Sequence, residues 1–360
     1  MSANLDIEKI KSSKSSSDII ADIFYYCVTG EKINSDDLER FTWHGIYAKD
    51  EQQSAFCIKI PLSLGELNIE QLKGFEELLI EFNIENLSFK EGQKIIIDNL
   101  DIYNLPKIFN KLKNLGLSSF FESGHTIKKV ITCPVNGLDR TQIFDVEELA
   151  KKINDTFIGN KNFFNLPNSL QFAISGYREG CDAGFTPDIS FNAIKDSNDK
   201  VLFELKILQT SIGQIRASQI VATAKAIANI YKDFGQRENI NSSNFESFIE
   251  DFKLANFTNL LSSMLDFKIQ NSIIINTNIE PKKPRMGINL SKVDGFSYIG
   301  FKSKSAELSQ KELNIFIKNL EENGASKIKI THKSNIIILD VPSKNSDILV
   351  SNLENIGLYI

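Results

Sequence analysis

The chain has 360 residues, with 41 Lys and Arg against 46 Asp and Glu, a formal net charge of −5 and 42% apolar residues. That length carries two or three packed modules, and the acidic balance gives no general attraction to nucleic acid or to an anionic membrane. No apolar run approaches the ~18 residues of a membrane span and the first residues, Met1 to Asp18, lack an apolar signal core, so the expectation is a cytoplasmic protein.

Residues 1–40 read as an N-terminal arm, with a Lys/Ser stretch expected to be mobile and a helix over Ile19–Val28. Residues 41–118 read as a half-domain. A strand over Phe56–Ile60 precedes apolar residues at helical spacing, Ile69, Leu72, Phe75, Leu79 and Phe82, behind Asn68 as a suitable N-cap. Leu87–Phe89 and Lys94–Asp98 are short β-rich runs around a Glu91-Gly92 turn, the pattern of a hairpin. A second amphipathic helix puts Leu105, Ile108, Leu112 and Leu115 on one face and stops at Gly116. The unit β-α-β-β-α is most of a ferredoxin-like split βαβ motif.

Residues 119–285 form a different, α/β module. Its expected elements begin with a strand over Lys129–Cys133 and a helix capped by Asp145 with Glu148 in the capping-box position. Strands at Leu170–Ser175, Asp188–Ala193 and Val201–Ile207 come next, then a long helix over Ile212–Phe234 and a shorter one over Phe245–Leu254. Residues 286–360 repeat the first half-domain: Gly65–Leu117 aligns without a gap onto Ala306–Leu358, matching Leu72 to Leu313, Phe75 to Phe316 and Ile95–Ile97 to Ile336–Ile338. The fold class is α+β, with two half-domains expected to pair about a pseudo-two-fold axis.

The four cysteines, Cys27, Cys57, Cys133 and Cys181, match neither a C-x-x-C pair nor a cluster run and read as free, mostly buried thiols. His44, His125 and His332 are equally dispersed, and no metal site emerges.

Several landmarks resemble the nitrite/sulfite reductase family. Arg40-Phe-Thr-Trp43-His44-Gly45-Ile-Tyr47 resembles its entry segment, and Ile60-Pro61 with Gly65-Glu-Leu67 and Glu70-Gln-Leu72 its I-P-G-G-x-L…E-Q-L stretch. Cys133-Pro134 with Gly137 resembles the C-P-x-x-G that opens the first siroheme-facing module. Leu166-Pro167, Asp188-Ile189 and Tyr231–Asn239 follow in the same order. The resemblance implies two ferredoxin-like half-domains and a siroheme-type module. It also implies a family chemistry in which siroheme, bridged by a cysteine thiolate to a [4Fe–4S] cluster, reduces sulfite or nitrite.

The same resemblance implies that this chain stops before the cluster-binding module and is degenerate at the siroheme positions. An eight-carboxylate macrocycle needs a crowd of Arg and Lys. Cys57 and Gly92 stand where the family has Arg, Ser169 and Gln171 where it has Lys, and Ile240–Asn244 where it continues with basic residues. No catalytic and no metal residue is assigned. Gln93, Lys128, Gln171, Arg178 and Arg237 are the polar residues left as remnant cleft candidates. The leading expectation is a non-catalytic family member without cofactor on this chain, acting as a subunit, scaffold or binding protein. The alternatives are an oxidoreductase of the same class whose cluster module comes from another chain, with siroheme and [4Fe–4S], and a binder of another tetrapyrrole or small anion. A homo-oligomer, or a protein partner covering the face left by the missing module around Ile336–Val341, is expected, with neither nucleic acid nor membrane as partner.

Overall fold

The structure, a computed structural model, describes residues 7–15, 18–177, 186–237, 243–271, 285–303, 305–331 and 333–360. The arm carries α1 (Ile7–Ser13), α2 (Ile19–Thr29) and α3 (Ser35–Phe41). Part of the Lys/Ser stretch expected to be mobile is therefore helical. It is held there because Lys11 Nζ donates to the Leu166 carbonyl at 2.7 Å and Arg40 Nη2 to the Ile10 carbonyl at 2.9 Å.

The first half-domain holds β1 (Ile46–Ala48), β2 (Phe56–Pro61), β3 (Glu66–Asn68), α4 (Ile69–Glu81), β4 (Asn86–Lys90), β5 (Lys94–Leu100) and α5 (Leu105–Asn114). The central module follows with β6 (Ile131–Thr132), α6 (Glu147–Phe157), β7 (Phe172–Ser175), β8 (Ile189–Lys195), β9 (Val201–Ile207), β10 (Thr210–Ile215), α7 (Ile220–Phe234), α8 (Phe245–Phe252) and α9 (Leu254–Met264). The second half-domain comprises β11 (Gly287–Leu290), β12 (Phe296–Ser303), β13 (Glu307–Ser309), α10 (Gln310–Glu322), β14 (Lys327–Ile330), β15 (Ile336–Pro342), α11 (Ser346–Glu354) and β16 (Leu358–Tyr359).

The two half-domains exchange strands. β3 leaves its own half to pair with β14, Leu67 opposite Ile328, and β13 returns the favour on β4, Leu308 opposite Leu87. The strand orders are therefore β1-β2-β5-β4-β13 and β11-β12-β15-β14-β3, each sheet completed by the other copy. Moving each partner of the first pairing by 241 positions into the other copy, up for one and down for the other, reproduces the second, Glu66 with Lys329 becoming Glu307 with Ser88, which is the ungapped repeat written in hydrogen bonds. The caps obey the same rule: Asn68 with Gln71 and Ser309 with Glu312 both close reciprocal capping boxes on α4 and α10. α4 and α10 pack on each other, and one apolar core joins both sheets through Leu72, Phe75, Leu313 and Phe316.

The central sheet, β10-β9-β8-β7-β6, is parallel from β6 to β8 and antiparallel beyond. β10 corrects the expected long helix over Ile212–Phe234, whose first residues form a hairpin arm paired Thr210 to Ile207 and Ile215 to Phe203. The shorter helix expected to Leu254 ends at Phe252, and α9 follows it. Asp145 accepts from the Glu147 N–H at 3.1 Å, but no capping box with Glu148 forms on α6.

β15 is buried on both faces. Ile336, Ile338 and Val341 enter the joint core of the half-domains, while Ile337 and Leu339 pack with Cys133, Val135, Tyr177 and Tyr298. The apolar face expected to need a partner is thus covered by the chain's own central module. Cys27 and Cys57 are free, but Cys133 is disulfide-bonded, which corrects the reading of four free thiols. Cys181, Arg178 and His332 lie outside the described residues. Among the described residues no helix is long and apolar enough to cross a membrane.

Candidate functional site

A cleft of about 370 Å³ opens where the first half-domain meets the central module. One wall is the end of β2 and the β4–β5 hairpin tip, Pro61, Leu62 and Glu91–Lys94. The other is the run Lys128–Ile131, the loop Asn168–Gln171 with Asp188, and the start of α8 at Asn244. The tip projects there because Gly92 and Gln93 adopt left-handed conformations, φ +78° and +57°, which turn the chain tightly between paired strands.

Of the residues singled out in the sequence, Gln93, Lys128, Gln171, Gly92, Ser169 and Asn244 line this cleft. Their polar atoms are largely committed elsewhere. Gln93 is 2% exposed; its Nε2 donates to the carbonyls of Thr132 and Ile330 at 3.1 Å each, and its Oε1 accepts from the Thr132 N–H at 3.3 Å. One side chain thus ties the hairpin to the central module and to the second half-domain. Gln171 Nε2 donates to the Lys129 and Phe172 carbonyls at 2.7 and 3.0 Å, and Asn244 caps α8 by accepting from the Ser247 N–H.

Arg237 is not in the cleft wall. Glu8 in the arm pairs with its Nη1 at 3.0 Å, and its Nη2 donates to the Asn165 and Lys232 carbonyls at 3.0 and 2.6 Å. It clamps α1 to the central module, so its assignment as a remnant cleft residue is corrected. Cys57 also stays out of the lining; it lies half-buried on β2, where burial pushes its thiol pKa up.

The charged lining residues Lys94, Glu122 and Asp188 were not among the site candidates of the sequence, and neither was Lys59, which stands near the cleft without lining it. Lys59 stands two residues after Cys57 on the same face of β2, its ammonium 3.6 Å from the Tyr47 ring centroid. Burial lowers the pKa of Lys94, helped by the positive charges of Lys128 and Lys59. Burial likewise lowers Lys128, while the Asp188 carboxylate opposes the shift. Burial pushes Asp188 up to about 6 although its Oδ2 accepts the Gln171 N–H at 2.7 Å. Glu122 rises to about 7 for the same reason, against the pull of Lys129 at 2.9 Å. Lys129 also donates to the Pro61 carbonyl at 3.0 Å. The alternation strand rule applied to β2, where Cys57, Lys59 and Pro61 share a face, was the signal that could have found Lys59.

The lining therefore sets Lys94, Lys128 and Lys129 against Glu91, Glu122 and Asp188. Such a site can accept one small anion at Lys94 and Lys128 and can take up protons near neutrality. Its described lining does not fit siroheme: the buried Glu122 and the half-buried Asp188 would face the macrocycle's eight carboxylates, and the amides of Gln93 and Gln171 are already spent on backbone carbonyls. An iron–sulfur cluster needs about four thiolates, and among the described residues no three His, Cys, Asp or Glu converge as metal ligands.

Residues 123–269 match the family described as nitrite and sulphite reductase 4Fe-4S domain. Among curated relatives, the chain is 23% identical to a ferredoxin–nitrite reductase of Leptolyngbya laminosa over 81% of this chain and 61% of that protein. It is 21% identical to a sulfite reductase [ferredoxin] of Mycobacterium tuberculosis over 91% of this chain and 63% of that protein. The chain thus spans less than two thirds of either relative. The solved structure of the Mycobacterium tuberculosis NirA protein superposes with a TM-score of 0.88 at 20% identity, covering 98% of this chain and 70% of that one, so the fold is shared.

Proposed function

We propose that this chain, nitrite/sulfite reductase-like in sequence and fold, works without siroheme or an iron–sulfur cluster of its own, as a non-catalytic subunit, scaffold or binding protein. The observation that carries the reading is the charge balance of the cleft: among its described lining residues three lysines stand against three carboxylates, Glu122 buried and Asp188 half-buried, where an eight-carboxylate cofactor needs an excess of cations. The packing positions support a protein that keeps its fold, since the helical faces of α4 and α10 and the exchanged strands are intact. The test is the ultraviolet–visible spectrum and iron content of the purified chain, with reduced dye as donor for sulfite or nitrite. A colourless, iron-free and inactive protein is the expected result. A Soret band with stoichiometric iron, or turnover above a no-protein control, overturns it.

A second reading, binding of a small anion in the cleft, is favoured by the half-buried Lys94 and Lys128, whose ammonium groups make no ion pair with described residues. Association with a second copy or another chain belongs to the same proposal. Light scattering at micromolar concentration tests it, and a monomer of 40.6 kDa sinks it.

A further inference from the structure

The loop that enters the cleft wall is held from behind by basic side chains. Its successive carbonyls, Asn165, Leu166 and Pro167, meet Arg237 Nη2 at 3.0 Å, Lys11 Nζ at 2.7 Å and His125 Nδ1 at 2.9 Å. The Leu166 N–H in turn donates to the His125 carbonyl at 3.1 Å. Beyond Pro167 the chain runs on into Asn168 and Ser169 of the cleft lining. Each of the three side chains belongs to the arm or is tied back to it. Lys11 lies on α1, Glu8 of α1 pairs with both Lys11 and Arg237, and Glu39 of α3 stands 3.3 Å from His125 Nε2.

Histidine is the one of these three side-chain types that changes charge near neutrality. His125 is 5% exposed, and each ring nitrogen faces an acceptor, a backbone carbonyl on one side and a carboxylate on the other. A neutral imidazole carries one N–H and serves only one of them, so both contacts together require one further proton. The charged and titratable groups around the pair come from every side. Lys11 on α1 and Tyr47 on β1 feel the Glu39 charge, and Arg237 is held by Glu8. Arg40 of α3 is paired with Asp37, and Glu122, on the same connecting segment as His125, with Lys129.

We propose that His125 is a proton-operated latch between the arm and the cleft. As an imidazolium it bridges Glu39 to the Pro167 carbonyl. When that proton leaves for solvent one contact breaks, and α3 and the 165–169 loop loosen together. The tie is present in acid and lost as pH rises, the sign expected of a histidine that gains an anionic partner on folding. The latch acts on the cleft wall whatever the cleft binds.

Hydrogen–deuterium exchange of the full chain at pH 6 and pH 8, corrected for the intrinsic pH dependence of exchange, tests it on residues 35–44 and 160–170. Losing one charge-assisted hydrogen bond shifts a local opening equilibrium about tenfold or more, so protection of both stretches is expected to fall by that factor relative to α10. Glu39→Gln is expected to abolish the fall, because a carboxamide supplies the missing N–H to a neutral ring at either pH. His125→Gln, which removes the titrating group, abolishes it too, and Glu122→Gln leaves it in place. Near-ultraviolet circular dichroism checks that each variant keeps its packing. Equal protection at both pH values in the parent overturns the proposal. So does a fall that survives Glu39→Gln or His125→Gln, and so does one abolished by Glu122→Gln, which moves the proton to another site.

Discussion

Replacing Gln93 by Ala separates a structural pin from a ligand-binding remnant. The amide makes three hydrogen bonds to backbone groups of two other modules, at 3.1, 3.1 and 3.3 Å, from a side chain 2% exposed. Its seat is cut to size: a Cβ on Gly65 would lie 2.6 Å from Gln93 Nε2 and 2.9 Å from the Ile330 carbonyl, and Gly65 at φ +69° leaves that room. Truncation leaves the Thr132 N–H and two carbonyls unsatisfied at about 1–3 kcal/mol each before relaxation and water entry. A loss of roughly 3 kcal/mol is the result. Glu at this position keeps one acceptor but sets an anionic oxygen against two carbonyls, so Gln93→Glu costs more than Gln93→Ala at pH 8 and the gap narrows in acid. Urea unfolding followed by fluorescence of the single tryptophan, Trp43, buried in the first half-domain region, and by far-ultraviolet circular dichroism reads both effects. The two probes coincide in the parent and separate in the variant as the modules uncouple. A Gln93→Ala protein within about 0.5 kcal/mol of the parent, with coincident transitions, would refute the pin.

Glu122 and Asp188, at about 7 and about 6, both titrate above the ordinary carboxylate range, so the folded state holds protons that the unfolded chain has released. Their burial penalty begins above the unfolded values and is complete above pH 7 or so, so the protein is expected to lose about 1–2 kcal/mol of stability between pH 6 and pH 8. Glu122→Gln removes most of that slope in urea titrations at the two pH values; an unchanged slope counts against the burial argument. Asn68→Ala and Ser309→Ala, caps of equivalent helices, are each expected to cost about 1 kcal/mol by thermal or urea unfolding, and a several-fold difference between them would contradict the equivalence of the two halves. Arg237→Ala cuts the link between Glu8 of α1 and the Asn165 and Lys232 carbonyls, and limited proteolysis is expected to cut the arm several-fold faster with the rest of the chain intact.

The half-domains were legible because their signals are local: a capped amphipathic helix, a hairpin and a second helix, written twice in the same spacing. The exchange of β3 and β13 was not, since three-residue edge strands carry no periodicity and their partners lie in the other copy. β10 was read as helix because its half-exposed Ser211-Ile212 start runs into Gly213 and the apolar residues of α7 beyond. In the site, residue type was readable and partnership was not. Gln93 and Arg237 look alike in sequence as spare polar groups, yet one pins three modules and the other holds an arm whose Glu8 is 229 positions away. Glu122 and Asp188 were lost among 46 acidic residues; only burial sets them apart.

The strand exchange also has a consequence during synthesis. β4 needs Ser309 opposite Asn86, so its edge stays open until about 220 further residues have been made. At ~5–20 residues per second a ribosome takes roughly 10–45 s over that stretch. For all of that time the nascent first half presents a row of unpaired N–H and C=O groups along Asn86–Lys90, able to recruit the same segment from a neighbouring chain. Circularly permuting the second half to the front shortens that delay and is expected to lower the association of nascent chains through this edge.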